Sequence, residues 1–291
     1  MVRLVSDGRD PMWVTMTTRT LASLHRAIRD DIDTLVTRRP VPGAGLPQVD
    51  PFLFLNHHGP QTYPPGNGGL PFGPHPHRGF ETVTFILEGS LAHHDTGGGE
   101  SIVEEGGVQW MTAGSGLTHA ELSPESFKRE GGPLEILQLW VNLPARLKMT
   151  TPAYTPVTAA EIPAVDMAPG VRMLPVSGTE GAPIESLTGV MLATVEMAAG
   201  SSATLPAPAG RNVFFYTVRG AARIGDDAVP EHTLAKLTDG DGIDVASEDG
   251  CLLLFGHADP IGEPMVAHGP FVMNTREEIV QAIRDHQAGK F

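Results

Sequence analysis

The stretch Phe80-Glu81-Thr82-Val83-Thr84-Phe85-Ile86-Leu87-Glu88-Gly89 decides the fold, because Asn212-Val213-Phe214-Phe215-Tyr216-Thr217-Val218-Arg219-Gly220 repeats its texture in the other half of the chain. Both runs are rich in β-branched and aromatic residues and stop at a glycine, the pattern of a strand running into a tight turn. Around the first lie further short apolar runs at 52–55, 108–111 and 136–141, and around the second at 190–197, 233–237 and 251–255. The 34 glycines and 26 prolines are scattered rather than gathered, so they punctuate many short strands. These features predict an all-β chain built as two tandem barrels.

Prolines at 152, 156 and 163 mark a passage between the halves. The expected division is therefore a first barrel over 19–148 and a second over 149–291. Residues 1–18 are polar and irregular; they are expected to be a disordered tail without chemistry, with Met12 and Met16 as later candidate starts. Residues 20–32 carry Leu21, Leu24, Ile28 and Ile32 at a spacing that fits a weak helix or an edge strand. Near the end, Thr275-Arg276-Glu277-Glu278 has the form of a capping box, followed by Ile279, Ala282 and Ile283 as an apolar stripe, which predicts a short C-terminal helix.

Acidic residues outnumber basic ones by 34 to 20 with no basic patch, so direct binding of nucleic acid is not expected. No run of about 20 apolar residues is present to span a bilayer, and the opening lacks the apolar core of a secretory signal. A cytoplasmic protein without membrane contact is the expectation. The single cysteine, Cys251, begins the apolar run 251–255 and reads as a buried structural thiol.

Metal-ligand chemistry concentrates in two segments. If 75–81 is one strand, His75, His77, Gly79 and Glu81 share a face, while His119 and Glu121 have the same spacing of two behind Gly114-Ser115-Gly116. A lone histidine among 12 would be a surface or satisfied core residue, but two such units in glycine-bounded strands argue for one ion held between them. Imidazole and carboxylate donors suit iron, nickel, copper, zinc or manganese, and a six-coordinate ion would keep positions open for chemistry or sensing. Either Glu81 or Glu121 can supply the carboxylate, and either is a candidate proton acceptor. The pairs His57-His58 and His93-His94 place neighbours on opposite faces, so they read as loop or supporting residues. Before the second repeat the histidines give way to Pro206-Ala207-Pro208-Ala209-Gly210-Arg211, which predicts a second barrel without a metal site.

Gly69, His75, His77 and Glu81, with Gly116 and His119 later, follow the two motifs of the cupin superfamily. The strings His75-Pro76-His77-Arg78-Gly79-Phe80-Glu81-Thr82-Val83, Gln109-Trp110-Met111-Thr112-Ala113-Gly114, His119-Ala120-Glu121, Leu139-Trp140-Val141-Asn142-Leu143-Pro144 and His268-Gly269-Pro270-Phe271-Val272-Met273-Asn274-Thr275 resemble the pirin family. Seven residues between Glu81 and Gly89, and Gly114 where cupins usually carry proline, depart from the general cupin pattern and agree with pirins. The resemblance covers the chain from about residue 19 and implies a bicupin with iron in its first barrel, held by His75, His77, His119 and Glu121.

Pirin-like proteins include enzymes that cleave the flavonol quercetin with dioxygen and non-enzymatic regulators that bind a transcriptional or metabolic protein partner. The resemblance therefore implies either an oxygenase acting on flavonol-like phenolics, with Glu121 or Glu81 taking up the substrate proton, or a redox sensor whose partner surface follows the state of the iron. Phe72, Phe80, Trp110 and Met111 are candidate walls for a flat substrate.

Overall fold

The structure, a computed structural model, describes residues 17–291 and, before them, the backbone of Val2–Val5 and Met12–Thr15. Where a disordered tail was expected, the backbones of Val2–Val5 and Met12–Thr15 pair as two antiparallel strands, and residues 1, 6–11 and 16 lie outside the described residues. The rest is predominantly β, as two cupin barrels followed by one short C-terminal helix. Each apolar run coincides with a strand, Val190 alone standing just outside its own, and the longest strands are Phe52–Tyr63, Phe80–Glu88 and Gly132–Asn142 in the first half and Asn212–Ile224 and Cys251–Ala258 in the second.

The first barrel consists of a seven-stranded and a four-stranded sheet. In the larger sheet, Phe80–Glu88 lies between Val108–Thr112 and Gly132–Asn142, so every backbone group along its centre has a partner on both sides. The smaller sheet runs Glu100–Glu104, Ser90–Asp95, Leu117–Leu122 and Phe72–His77. The second barrel is organised around Cys251–Ala258, flanked by Met191–Met197 and Asn212–Ile224.

Two strands cross the division expected at 148/149. Ala153–Val157 pairs with Val108–Thr112 and extends the first barrel, whereas Leu21–Arg26 pairs with Thr233–Leu237 and extends the second. Leu21–Arg26 alternates half-buried and exposed side chains, the period of a strand on one sheet face, which resolves the helix-or-strand ambiguity. A short helix over Glu125–Glu130 was not anticipated. The C-terminal helix Arg276–Gln287 carries the expected cap, with Thr275 Oγ1 accepting from the Glu278 amide and Glu278 accepting from the Thr275 amide. Cys251 is half-buried at the end of its strand, so it packs less deeply than its apolar neighbours suggest.

One core joins the barrels: Phe52, Val83, Phe85, Leu137 and Leu139 from the first pack in the same cluster as Leu192, Phe214, Tyr216 and Leu254 from the second. Polar groups are pinned inside this seam. His57 bonds Glu135 at 2.7 Å and the Tyr216 hydroxyl at 2.9 Å, and Arg219 of the second barrel donates to Glu135 and Glu88. Glu135 is wholly buried, yet its two donors hold its carboxyl below the usual range against the opposing effect of burial. Removing one partner from a buried charge network typically costs about 3–5 kcal/mol, because the remaining charge stays desolvated. Glu135→Ala should therefore lower stability by about that amount in urea unfolding, and Arg219→Ala by less because Arg219 is partly exposed.

His58, on the opposite face of the same strand, is buried and held neutral; burial pushes its pKa down to about 3, with the neighbouring His57 adding to the effect. A histidine whose folded pKa lies below its unfolded value of about 6.5 stabilises the fold above that value and loses the contribution as pH falls towards 3. In urea unfolding between pH 6 and pH 4, His58→Gln is expected to flatten the loss of stability by about 1.4 kcal/mol per pH unit. An unchanged slope would show that His58 does not remain neutral in the folded protein.

Candidate metal centre

His75, His77 and His119 come together: one ring nitrogen from each lies within 4.8 Å of the others. The antiparallel register makes this happen, since Leu117–Leu122 pairs with Phe72–His77 so that His119 stands opposite His75 and Leu117 opposite His77. Ring centroids are 4.4 Å apart for His75 and His119, 5.0 Å for His77 and His119, and 4.9 Å for His75 and His77. His77 and His119 are buried, and His75 forms the half-exposed edge of the cluster.

The surroundings orient all three rings alike. His75 Nδ1 lies 2.8 Å from the Gly73 carbonyl, and His77 Nδ1 lies 3.4 Å from the Pro270 carbonyl. A carbonyl accepts only, so each Nδ1 carries the proton and each Nε2 keeps its lone pair. His119 reaches the same tautomer through a relay. Asp95, held by the Gly97 and Gly99 amides, accepts from His93 Nε2 at 2.8 Å; His93 Nδ1 is then an acceptor for His119 Nδ1 at 3.5 Å. His119 Nε2 is buried without a hydrogen-bond partner. Burial holds the His119 imidazole far below its ordinary pKa and lowers that of His77 to about 3, so both remain neutral. Three imidazoles with converging Nε2 atoms, one of them an orphaned buried nitrogen, fit a divalent transition-metal ion.

Glu121 points into the same barrel but is not gathered with the three imidazoles. Its Oε1 accepts from Gln109 at 2.5 Å and Thr84 at 3.3 Å, and its Oε2 from Gln138 at 2.5 Å. Burial pushes its carboxyl up to about 7, with these three donors acting in the opposite sense. Sequence reading missed Gln109, Gln138 and Thr84, which become visible only once the register places them on inward faces.

The expectation that Glu81 shares the face of His75 and His77 is corrected. Phe72–His77 and Phe80–Glu88 are separate strands with Gly79 between them at φ 87°, so the alternation restarts. Phe80 consequently stands beside His77, with ring centroids 5.1 Å apart, while Glu81 projects from the opposite face and accepts from Trp110 Nε1 at 3.0 Å and Thr112 Oγ1 at 2.7 Å. A side chain at Gly79 would strike the Val272 carbonyl, and Lys148 Nζ ties the Gly79 and Val272 carbonyls together at 2.9 and 3.0 Å.

The same shift moves Trp110 away from the imidazoles and into the seam between barrels. The aromatic wall beside the cluster is instead Phe80, Trp140 and Phe54: Trp140 lies 5.4 Å from His77 and 4.4 Å from Phe80, and Phe54 lies 4.7 Å from Trp140. Phe72 packs on His58, and Met111 is buried with Ala113 and Leu117. The pair His93-His94 divides as expected: His93 supports His119 and stacks on Tyr154 at 3.7 Å, while His94 faces outward.

Comparison with known proteins agrees with this architecture. The Pirin family matches residues 34–141, and the Pirin C-terminal cupin domain matches residues 192–291. Over 286 residues the chain is 38% identical to pirin from Homo sapiens, covering 93% of this chain and 92% of that one. It superposes on the crystal structure of quercetin 2,3-dioxygenase from Acinetobacter baumannii with a TM-score of 0.88 at 30% identity, covering 94% of this chain and 99% of that one. The bacterial pirin YhhW of Escherichia coli, solved in complex with nickel(II), shares the fold at a TM-score of 0.65 and 21% identity, over 81% of this chain and 99% of that one. With both halves matched and most of its length aligned to pirin, the chain belongs to the pirin family of bicupin proteins.

Proposed function

We propose that the chain is a metal-dependent dioxygenase of the quercetin 2,3-dioxygenase type, with His75, His77 and His119 holding the ion through Nε2 and Glu121 as fourth donor. The observation that carries this reading is the set of three imidazoles whose Nδ1 atoms face acceptors, leaving their Nε2 atoms free. Likeness to the Acinetobacter baumannii enzyme supports the substrate class, a flavonol or related phenolic. Iron is the first choice of ion, and nickel, named for the Escherichia coli relative, is the next. Once bound, the ion supplies Lewis acidity that favours the phenolate form of a hydroxylated aromatic and a place for it to meet dioxygen.

The protein's own groups do the rest. Phe80, Trp140 and Phe54 form a partly buried aromatic wall beside His77, suited to the face of a flat ring. Glu121 is the carboxylate that takes the substrate hydroxyl proton, at whichever oxygen Gln109 or Gln138 releases. Glu81 has no part in this step, because strand Phe80–Glu88 stands between it and the imidazoles. The buried His119 and Glu121 keep water from the inner end of the site, and His75 marks its open edge.

Aerobic incubation of metal-loaded protein with quercetin tests the activity. Carbon monoxide release and metal-dependent loss of the flavonol absorbance are expected. Their absence with iron, nickel, copper, zinc and manganese would reject the oxygenase and leave the redox-sensing regulator with a protein partner as the reading to pursue.

The ligand assignment has its own test. His119→Ala should abolish retention of the ion, measured by elemental analysis after desalting. Asp95→Asn, which disturbs the relay behind His119 while leaving the three imidazoles in place, should weaken metal affinity by roughly 10–100-fold, the usual effect of losing such a supporting group. Equal retention by wild type and both variants would place the ion elsewhere.

A further inference from the structure

The face of strand Phe80–Glu88 turned away from the imidazoles carries a second, separate cavity of ≈ 300 Å³. Three adjacent strands form its back wall. Glu81 is opposite Thr112 in the ladder, Thr112 is opposite Ala153, and Trp110 is opposite Thr155, so these side chains stand on one face. Thr150 and, from the second half of the chain, Ile184, Glu185 and Leu187 border its open side. The cavity thus lies at the seam of the two barrels.

Its innermost polar group is incompletely satisfied. Glu81 is 1% exposed, and its Oε1 already accepts from both Trp110 and Thr112, while its Oε2 is buried with no partner. A buried acceptor left unpaired costs about 1–3 kcal/mol, and more when charged, so a ligand that supplies a donor there recovers part of that cost. Burial raises the Glu81 pKa, which a cation at Oε2 would oppose. The other lining groups specify the kind of donor. No lysine or arginine lines the cavity; the second ionisable group is the carboxylate of exposed Glu185, and the walls between are threonine, alanine, proline, isoleucine and leucine. An anion is disfavoured on both counts, whereas a cation offers donors to Oε2 and a partner to Glu185.

We propose that this cavity is a binding site for a small organic cation with a primary ammonium head, seated on Glu81 Oε2 with its short apolar stem running past Ala153 and Ile184 towards Leu187. The ammonium provides compact positive charge and three donors, enough for Oε2 and nearby threonine hydroxyls. The volume falls at the lower end of the range for small-molecule sites, which limits the ligand to a short chain. This site is independent of the metal centre and of the activity proposed for it.

The probe is n-butylammonium, titrated into the full-length protein by calorimetry and by tryptophan fluorescence, since the Trp110 indole N–H is bonded to Glu81. Saturable binding is expected, with n-butanol binding at least tenfold more weakly. Glu81→Gln should weaken binding at least tenfold. Leu187→Trp, at an exposed position that cannot disturb the core, should narrow the mouth and have a similar effect. Binding should persist in His119→Ala, which separates the site from amine coordination at the metal centre. The proposal is overturned if n-butylammonium shows no saturable binding, if n-butanol binds as well, if Glu81→Gln or Leu187→Trp leaves binding unchanged, or if His119→Ala abolishes it.

Discussion

Everything distinctive in this molecule depends on the break in alternation at Gly79. A strand buried on both faces can serve two different environments only if its phase is fixed, because a slip of one residue exchanges every side chain between them. Gly79, at φ 87° and locked against Val272 through Lys148, sets that phase. Phe80, Thr82 and Thr84 then face the metal barrel, and Glu81, Val83 and Phe85 face the seam. Two carboxylates that look interchangeable in the sequence are thereby separated, Glu121 entering the barrel and Glu81 leaving it.

The imidazole cluster is organised by acceptors behind the rings as much as by the rings themselves. Gly73 and Pro270 offer carbonyls, and Asp95 acts through His93, so every Nδ1 is anchored from outside the cluster. Burial alone would hold the His77 and His119 imidazoles neutral without determining which nitrogen carries the remaining proton. The relay and the carbonyls settle that choice, and one of them, Pro270, comes from the far end of the chain. This gives the string 268–275 a physical role: it backs His77 before continuing into Phe271–Met273 and the C-terminal helix.

Much of this was legible in the residues. Short apolar runs bounded by glycine located the long strands, the H-x-H and H-x-E spacings located the three clustered imidazoles, and the capping box located the final helix. What could not be read was phase and register. A spacing of four from His77 to Glu81 implies a common face only in an unbroken strand, and nothing in Arg78-Gly79 announces that the count restarts. Gln109 and Gln138 are ordinary polar residues until antiparallel pairing brings both to Glu121. The exchange of Leu21–Arg26 into the second barrel is likewise a long-range pairing with no local signal.

The second barrel has no counterpart of the histidine motif, yet it is more than a duplicate that has lost its chemistry. The first barrel's large sheet turns an apolar face outward through Val83, Phe85, Leu137 and Leu139, and such a face must be covered. The second barrel covers it and supplies partners for the polar groups caught in the contact, Tyr216 for His57 and Arg219 for Glu135. Where the cover is incomplete, around Glu81, the seam retains a cavity with an unsatisfied carboxyl oxygen. Absence of the histidine motif from the second barrel and presence of the whole domain are therefore consistent: His75, His77 and His119 gather in the first barrel, whereas the second barrel answers to the surface that strand Phe80–Glu88 presents on its other side.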